Sequence, residues 1–277
     1  MTDAVGFIGL GQIGAPMAAH LVEWPGGLVV CDVDPDVVRP FAEQGATVAS
    51  SPAAVAEQAS VISVMVRDDA QVRDVVGALV PAASPGAVIA IHSTINAATA
   101  IDLATAAEAR RVYVVDAPVS GGFMGAHEGS LAVMVGGADD ALERCRPVFA
   151  QWASLVVHLG PVGAGTRAKL ARNLITFVAY TAAGEAQRLA EAAGVDLREL
   201  AAVVRHSDKV TGGAGSIMLR DTTAPMQLDD DWYAILANTR DLGEKDLRLA
   251  LELGEALSVD LPFAALALDR FGKSLGL

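Results

Sequence analysis

The stretch Val5-Gly6-Phe7-Ile8-Gly9-Leu10-Gly11-Gln12-Ile13-Gly14 decides how this chain is read. A short apolar run leads into G-x-G-x-x-G and then into an Ala-rich helical segment that continues through Leu21. Each glycine has a separate task in that context. Gly9 permits a tight turn, Gly11 lets backbone approach a pyrophosphate, and Gly14 lets the helix pack on the strand. The N-terminus of that helix then offers unpaired N–H groups and the positive end of its dipole to a phosphate. In a chain of 27 glycines such a triplet alone is a weak sign. Here a second apolar run, Leu28-Val29-Val30-Cys31, ends on Asp32, roughly 20 residues downstream, as the fingerprint requires. Gly9, Leu10, Gly11, Gln12, Ile13, Gly14 and Asp32 are therefore expected to bind a dinucleotide.

Asp32 also bears on which dinucleotide is used. A carboxylate there accepts hydrogen bonds from an adenosine ribose diol and repels a 2′-phosphate, so NAD is favoured over NADP. Arg39, seven residues on, softens that repulsion and leaves NADP open. Asp34 stands ready to cap a helix that begins at Pro35.

The 277 residues allow one large domain or two of ordinary size, and 52% apolar content with few aromatics provides cores of Ala, Val and Leu. A net charge of −13 argues against nucleic acid and anionic membranes as partners, so an anionic ligand needs a local basic site. Cys31 and Cys145 have no metal-ligand spacing and read as reduced, buried thiols of a cytoplasmic protein, with no metal expected. The first strand starts near Val5, which leaves no room for a signal peptide, and no apolar run approaches the ~18 residues of a membrane span.

After Asp32, short apolar runs at 61–66, 87–91, 112–115 and 131–135 alternate with helical stretches. That alternation predicts a parallel sheet covered by helices on both faces. The pattern changes near Gly160. One proline-free helical segment runs from about 163 to 193, and its middle, 174–184, is apolar nearly all round, so it should be buried on most sides. Helical patterns follow at 197–206, 242–258 and 261–275, with Asp196 as an N-cap and Asp260-Leu261-Pro262 as a helix start. The expected architecture is an α/β Rossmann-type N-terminal domain over 1–161 and an all-α C-terminal domain over 162–277, joined through a long interdomain helix. Residues 207–231, rich in Gly, Asp and Thr, read as irregular surface with a short helix around 216–220.

Four further segments carry chemistry. Ser120-Gly121-Gly122 follows the strand that ends near Asp116, so its backbone N–H groups and hydroxyl can converge on a carboxylate. Lys169 and Asn173 are spaced i, i+4, which puts them on one face of the long helix. Lys245 opens a Lys-Asp-Leu segment, and Ser93-Thr94 follows the run at 87–91.

Four ordered motifs, the glycine turn among them, resemble the β-hydroxyacid dehydrogenase family, which includes 3-hydroxyisobutyrate dehydrogenases. They are the start at 9–21, Asp116-Ala117-Pro118-Val119-Ser120-Gly121-Gly122 with Gly125-Ala126 and Gly129-Ser130-Leu131, Gly160-x-x-Gly163-x-Gly165-x-x-x-Lys169-x-x-x-Asn173, and Lys245-Asp246-Leu247-x-Leu249-Ala250. The resemblance covers nearly the whole chain. It implies an NAD-linked oxidoreductase that interconverts a short, anionic 3-hydroxy acid and its aldehyde or keto acid. In it Lys169 is the catalytic acid/base, Asn173 orients the substrate, and Ser120, Gly121 and Gly122 hold its carboxylate. Ser93, Thr94 and Lys245 lie at the cofactor. A homodimer or homotetramer is expected, both from the family and from the apolar helical half.

Some residues depart from the family pattern: Ala97 replaces a usual Pro, His20 a common Asn and Ser130 a common Thr. His92 reads as a sheet-end residue, not a catalyst. Arg220, Lys209 and Trp232 around the 207–231 segment are expected to meet a distal substrate group, so that the substrate differs from 3-hydroxyisobutyrate. The rival readings are an imine or other carbonyl reductase on the same scaffold, which Lys169 argues against, and a non-catalytic nucleotide-binding regulator, which would need neither Lys169 nor Asn173.

Overall fold

Six strands, β1 (Ala4–Ile8), β2 (Leu28–Cys31), β3 (Thr47–Val48), β4 (Ala59–Val64), β5 (Val88–Ile91) and β6 (Tyr113–Asp116), form one parallel sheet in the order β3-β2-β1-β4-β5-β6. The chain builds outward from β1 in one direction and then returns past it to build in the other. A crevice opens at that reversal, outside the C-terminal ends of β1 and β4. The helices α1 (Gly14–Ala19), α2 (Pro35–Glu43), α3 (Pro52–Ala56), α4 (Asp69–Ala82) and α5 (Ala97–Glu108) make the crossovers.

Alternation along each strand divides the interior into two cores. Val5 and Phe7 of β1, Leu28 and Val30 of β2, and Val88 and Ala90 of β5 point into one. Ile8, Val29, Cys31, Ile89 and Ile91 point into the other. A side-chain period of two in a sheet covered on both faces makes each strand apolar throughout, which is why these strands read as continuous apolar runs. The computed structural model describes residues 3–220 and 222–277.

The run at 131–135 is a strand at its expected residues, but it does not join the parallel sheet. It is the centre of a second sheet made of β7 (Val119–Ser120), β8 (Leu131–Val135) and β9 (Ala153–His158), with β7 antiparallel and β9 parallel to it. The helices α6 (Gly122–His127) and α7 (Asp139–Phe149) lie between these strands in sequence. Among the described residues a bridge from Asp116 to Gly136 connects the two sheets.

Helix α8 (Ala164–Ala192) starts within a residue of its expected position. Contacts divide the chain inside it, into a unit ending at Arg172 and a unit from Asn173 to Leu277, whereas the expected boundary was at 161/162. The first turn of α8 stays with the sheet unit because its backbone is bonded to Asp116.

The second unit contains the rest of α8, α9 (Leu197–Thr211), α10 (Tyr233–Ala256) and α11 (Pro262–Ser274). Asp196 caps α9 by accepting the N–H groups of Arg198 and Glu199, and Pro262 occupies the first turn of α11. Helix α9 continues five residues past its expected end at 206, until Gly212 at φ 88° stops it in the left-handed conformation. The short helix expected at 216–220 is a 3-10 turn at Gly213–Ile217, and Asp221 of that segment lies outside the described residues. A further buried carboxylate, Glu185 of α8, accepts the N–H groups of Phe263 at 2.8 Å and Ala264 at 3.0 Å at the start of α11.

Burial of the middle of α8 on most sides is not observed. Leu174, Phe177 and Tyr180 are 66%, 60% and 68% exposed. Within one chain the second unit gathers only a small core of Met226, Leu236 and Leu275, with Trp232, Tyr233 and Phe271 against it. Among the described residues no helix is long and apolar enough to cross a membrane.

Candidate functional site

At the reversal of strand order lies a cavity of about 680 Å³. Gly9, Gly11, Gln12, Ile13, Gly14 and Asp32 line one side of it. The other side is formed by Met65, Val66, Arg67, Gln71, Asp74 and Val75, none of them singled out from sequence. The signal for that wall was present, because the run at 61–66 ends at the sheet edge where β1 ends, and ligands in open parallel sheets bind beside such ends.

The three glycines separate by what a methyl group would meet. At Gly9, φ 92°, it would collide with the carbonyl of Met65, and at Gly14 with the carbonyl of Gly9. At Gly11 it would meet nothing within 4 Å. The protein's own packing therefore gives no reason for glycine at position 11. A ligand that lies against the backbone does, and Gly11 faces the cavity. These residues fit a dinucleotide.

Asp32 is fixed from two sides. One carboxylate oxygen accepts the N–H of Leu10 at 2.6 Å and the other that of Asp34 at 2.9 Å. Leu10 therefore gives its amide to Asp32, while its side chain lies in the core. Arg39, expected to soften the acidity of this corner, forms an ion pair with Asp36. Asp34 caps α2 through the N–H of Asp36. Ser93 is buried, and its hydroxyl both donates to the carbonyl of Val66 at 2.6 Å and accepts its N–H at 2.9 Å, so it supports the far wall without lining it. Thr94 is exposed.

Ser120 ends β7, and Gly121 and Gly122 have φ 137° and 65°, conformations open to glycine with little strain. Lys169 approaches this turn from α8. Its Nζ donates to the carbonyl of Val119 at 2.7 Å, one residue ahead of Ser120. Burial, and next the guanidinium of Arg172, hold the ammonium below the usual lysine range. Asn173 follows one turn later, half-buried, in the second unit.

His92 is enclosed beneath the segment that carries this turn. Its Nδ1 lies 2.8 Å from the carbonyl of Ala117 and its Nε2 3.0 Å from the Ser63 hydroxyl, and its ring meets Phe149 and Trp152 edge to face. A carbonyl can only accept, so Nδ1 carries the proton and Nε2 accepts from Ser63. Burial pushes its pKa down to about 4, which makes it a neutral structural link.

Lys245 lies exposed on α10, with Nζ 3.0 Å from Asp246. Arg220 donates to the carbonyl of Ala224 at 2.7 Å and lies 3.8 Å from Asp230, so it holds its own segment together. Trp232 packs in the small core of the second unit. Among the described residues no group of three His, Cys, Asp or Glu side chains is arranged to hold a metal ion.

Residues 4–160 match the family model for the NAD-binding domain of 6-phosphogluconate dehydrogenase, and residues 163–274 that for the NAD-binding region of NADP-dependent 3-hydroxyisobutyrate dehydrogenase. An uncharacterized oxidoreductase of Mycobacterium tuberculosis is 57% identical over 99% of this chain and 94% of its own. The crystal structure of an oxidoreductase of Mycobacterium avium superposes with a TM-score of 0.95 at 53% identity, covering 99% of both chains. The Mycobacterium tuberculosis 3-hydroxyisobutyrate dehydrogenase solved with L-serine is 33% identical, with a TM-score of 0.69, covering 99% of this chain and 94% of that one.

Proposed function

Since this chain belongs to the β-hydroxyacid dehydrogenase family and carries its NAD(P)-binding domain, we propose that it is an NAD-preferring dehydrogenase of a short 3-hydroxy acid with Lys169 as acid/base. The observation that carries the reading is the ammonium of Lys169, partly desolvated and held one residue ahead of Ser120-Gly121-Gly122. A carboxylate bound at that turn, through its hydroxyl and backbone N–H groups, would bring a nearby hydroxyl within reach of Lys169. As the neutral amine Lys169 takes the hydroxyl proton during oxidation, and as the ammonium it returns one during reduction. Lowering of its pKa by burial makes the amine accessible nearer neutrality.

Bound NAD supplies the hydride acceptor at its nicotinamide ring. The turn from Gly9 to Gly14 would hold its pyrophosphate and Asp32 its adenosine ribose. Preference for NAD follows from the acidic corner Asp32, Asp34 and Asp36, with Arg39 drawn onto Asp36 and a 2′-phosphate left facing carboxylates. Asn173 as the orienting residue and Lys245 at the cofactor enter this reading through the family resemblance.

The 3-hydroxyisobutyrate dehydrogenase relative was solved with L-serine, another short acid with a hydroxyl on its third carbon. That shared chemistry defines the substrate class proposed here. Initial rates with short 2-, 3- and 4-hydroxy acids, their carbonyl counterparts and cyclic imines, each with NAD(H) and NADP(H), test it. Highest kcat/KM for a 3-hydroxy acid with NAD is the expected result. Turnover of imines but of no hydroxy acid would contradict it.

A further inference from the structure

We propose that Asp116 is a positioning residue that sets where the Lys169 ammonium stands, an inference that rests on the assignment of proton transfer to Lys169. The Asp116 side chain is fully buried at the end of β6. Its two oxygens accept the N–H of Gly163 at 2.7 Å and the N–H of Thr166 at 2.6 Å, where α8 begins. Three residues further along each strand of chain, Lys169 donates to the carbonyl of Val119 at 2.7 Å. Residues 116–119 and 166–169 are thus tied at both ends, by carboxylate to amide at one and ammonium to carbonyl at the other. They form a closed ring.

The ring has a fixed base. Asp116 exchanges both backbone hydrogen bonds with Gly136, at 3.1 Å and 2.8 Å. A methyl group at Gly136 would strike the Asp116 carboxylate, and one at Gly165 the carbonyl of Met134, so both glycines let α8 seat closely on the strands. Helix N-termini are ordinarily capped by a Ser, Thr, Asp or Asn next to them in sequence. Here the cap comes from 47 to 50 residues away, on the very segment that leads into Ser120-Gly121-Gly122. A buried carboxylate is costly to desolvate, and its place is justified by the amides and the helix dipole it meets. Burial raises its pKa, against the pull of those two N–H groups.

A lysine side chain on four rotatable bonds reaches many points, whereas proton transfer needs one. By fixing the rotation and height of the first turn of α8, Asp116 restricts the ammonium to the neighbourhood of Val119 and Ser120. Loss of the carboxylate should therefore affect turnover through Lys169, with the cofactor turn of β1 left intact.

The test is a double-mutant cycle of Asp116→Asn and Lys169→Ala in the full-length enzyme. It reads kcat against pH, KM for substrate and NAD, and NADH affinity by fluorescence. Asp116→Asn is expected to lower kcat for hydroxy-acid oxidation about 10- to 100-fold and to shift the acidic limb of the pH profile, with NADH affinity within about twofold. In the Lys169→Ala background it should cost less than about twofold more, because residues that act as one unit are not additive. Equal losses in both backgrounds, or a parallel loss of NADH affinity, would overturn the proposal. Near-normal turnover of Lys169→Ala alone would instead remove the Lys169 assignment on which it stands. Asp116→Ser replaces Asp116→Asn where the latter does not fold. If neither gives folded protein that binds NADH, the carboxylate is a folding requirement only, and the proposal fails.

Discussion

The carboxylate of Asp32 accepts the N–H of Leu10 at 2.6 Å, which fastens the acidic end of β2 to the glycine turn that follows β1. In the proposed reading this couples cofactor choice and the shape of the pyrophosphate turn through one side chain. Asp32→Ala is expected to raise KM for NAD about tenfold or more and to narrow the preference for NAD over NADP, since a hydrogen bond to a charged group contributes ~1.5–3 kcal/mol. Ratios of kcat/KM with the two cofactors measure it. A wild-type enzyme that already prefers NADP would refute the role given to Asp32.

Gly11 and Gly14 should behave in opposite ways when changed to Ala. A methyl at position 11 meets open cavity, so Gly11→Ala should keep its melting temperature within about 2 °C and lose at least about tenfold in NAD affinity. A methyl at position 14 strikes the carbonyl of Gly9, so Gly14→Ala should be destabilised first. Thermal melts and cofactor titrations on both proteins separate the two effects. Equal destabilisation would mean that Gly11 serves packing.

Acid should weaken the sheet unit through His92. Its folded pKa is pushed down to about 4 from 6.5, so the unfolded chain takes up the proton first. The stability held by the neutral ring is complete above pH 6.5 and is lost as pH falls toward 4, by an amount of order 3 kcal/mol. His92→Gln keeps a donor and an acceptor but cannot titrate. Urea midpoints at pH 7 and pH 4.5 should move apart in the wild type and much less in the variant; identical shifts in both would clear His92 of the effect.

The apolar middle of α8 needs a cover that one chain does not supply. Leu174, Phe177 and Tyr180 expose 66%, 60% and 68% of their surface, and such faces on folded proteins mark association sites. Light scattering at micromolar concentration is expected to give a dimer or a tetramer. A monomer mass would contradict this. Replacing Phe177 and Tyr180 together by Lys should shift the mass toward monomer.

What was legible in the sequence had local causes. The Asp34 and Asp196 caps and the Pro262 helix start each act on residues within four positions of themselves, and the glycine turn and Asp32 were legible through their spacing along the chain. The second sheet was not legible, because β7 is two residues long and β9 alternates toward solvent, with Leu155 and Val157 exposed. The start of α10 at Tyr233 was missed by nine residues, as Trp232 opens the helix with no side-chain cap to announce it. Burial of the middle of α8, expected from its apolar composition, is not met, because composition does not say which surfaces pack against a helix. The contacts that organise the candidate site join residues far apart: Leu10 with Asp32, Ser93 with Val66, and Asp116 with Thr166. No spacing rule reaches them, because they depend on which strand ends meet at one edge of the sheet.

Lys169 offers the most direct measurement: kcat of Lys169→Ala with the best 3-hydroxy acid and saturating NAD, alongside NADH affinity. The expected result is a loss of about 100-fold or more in kcat with NADH affinity almost unchanged, since the residue is assigned to proton transfer and not to the cofactor. In this oxidation direction the wild-type kcat should fall as pH drops through the pKa of the Lys169 amine, which lies below the ordinary lysine value of 10.5, and that acidic limb should vanish with the side chain. Turnover within a few-fold of wild type, or an unchanged acidic limb, would show that another group moves the proton.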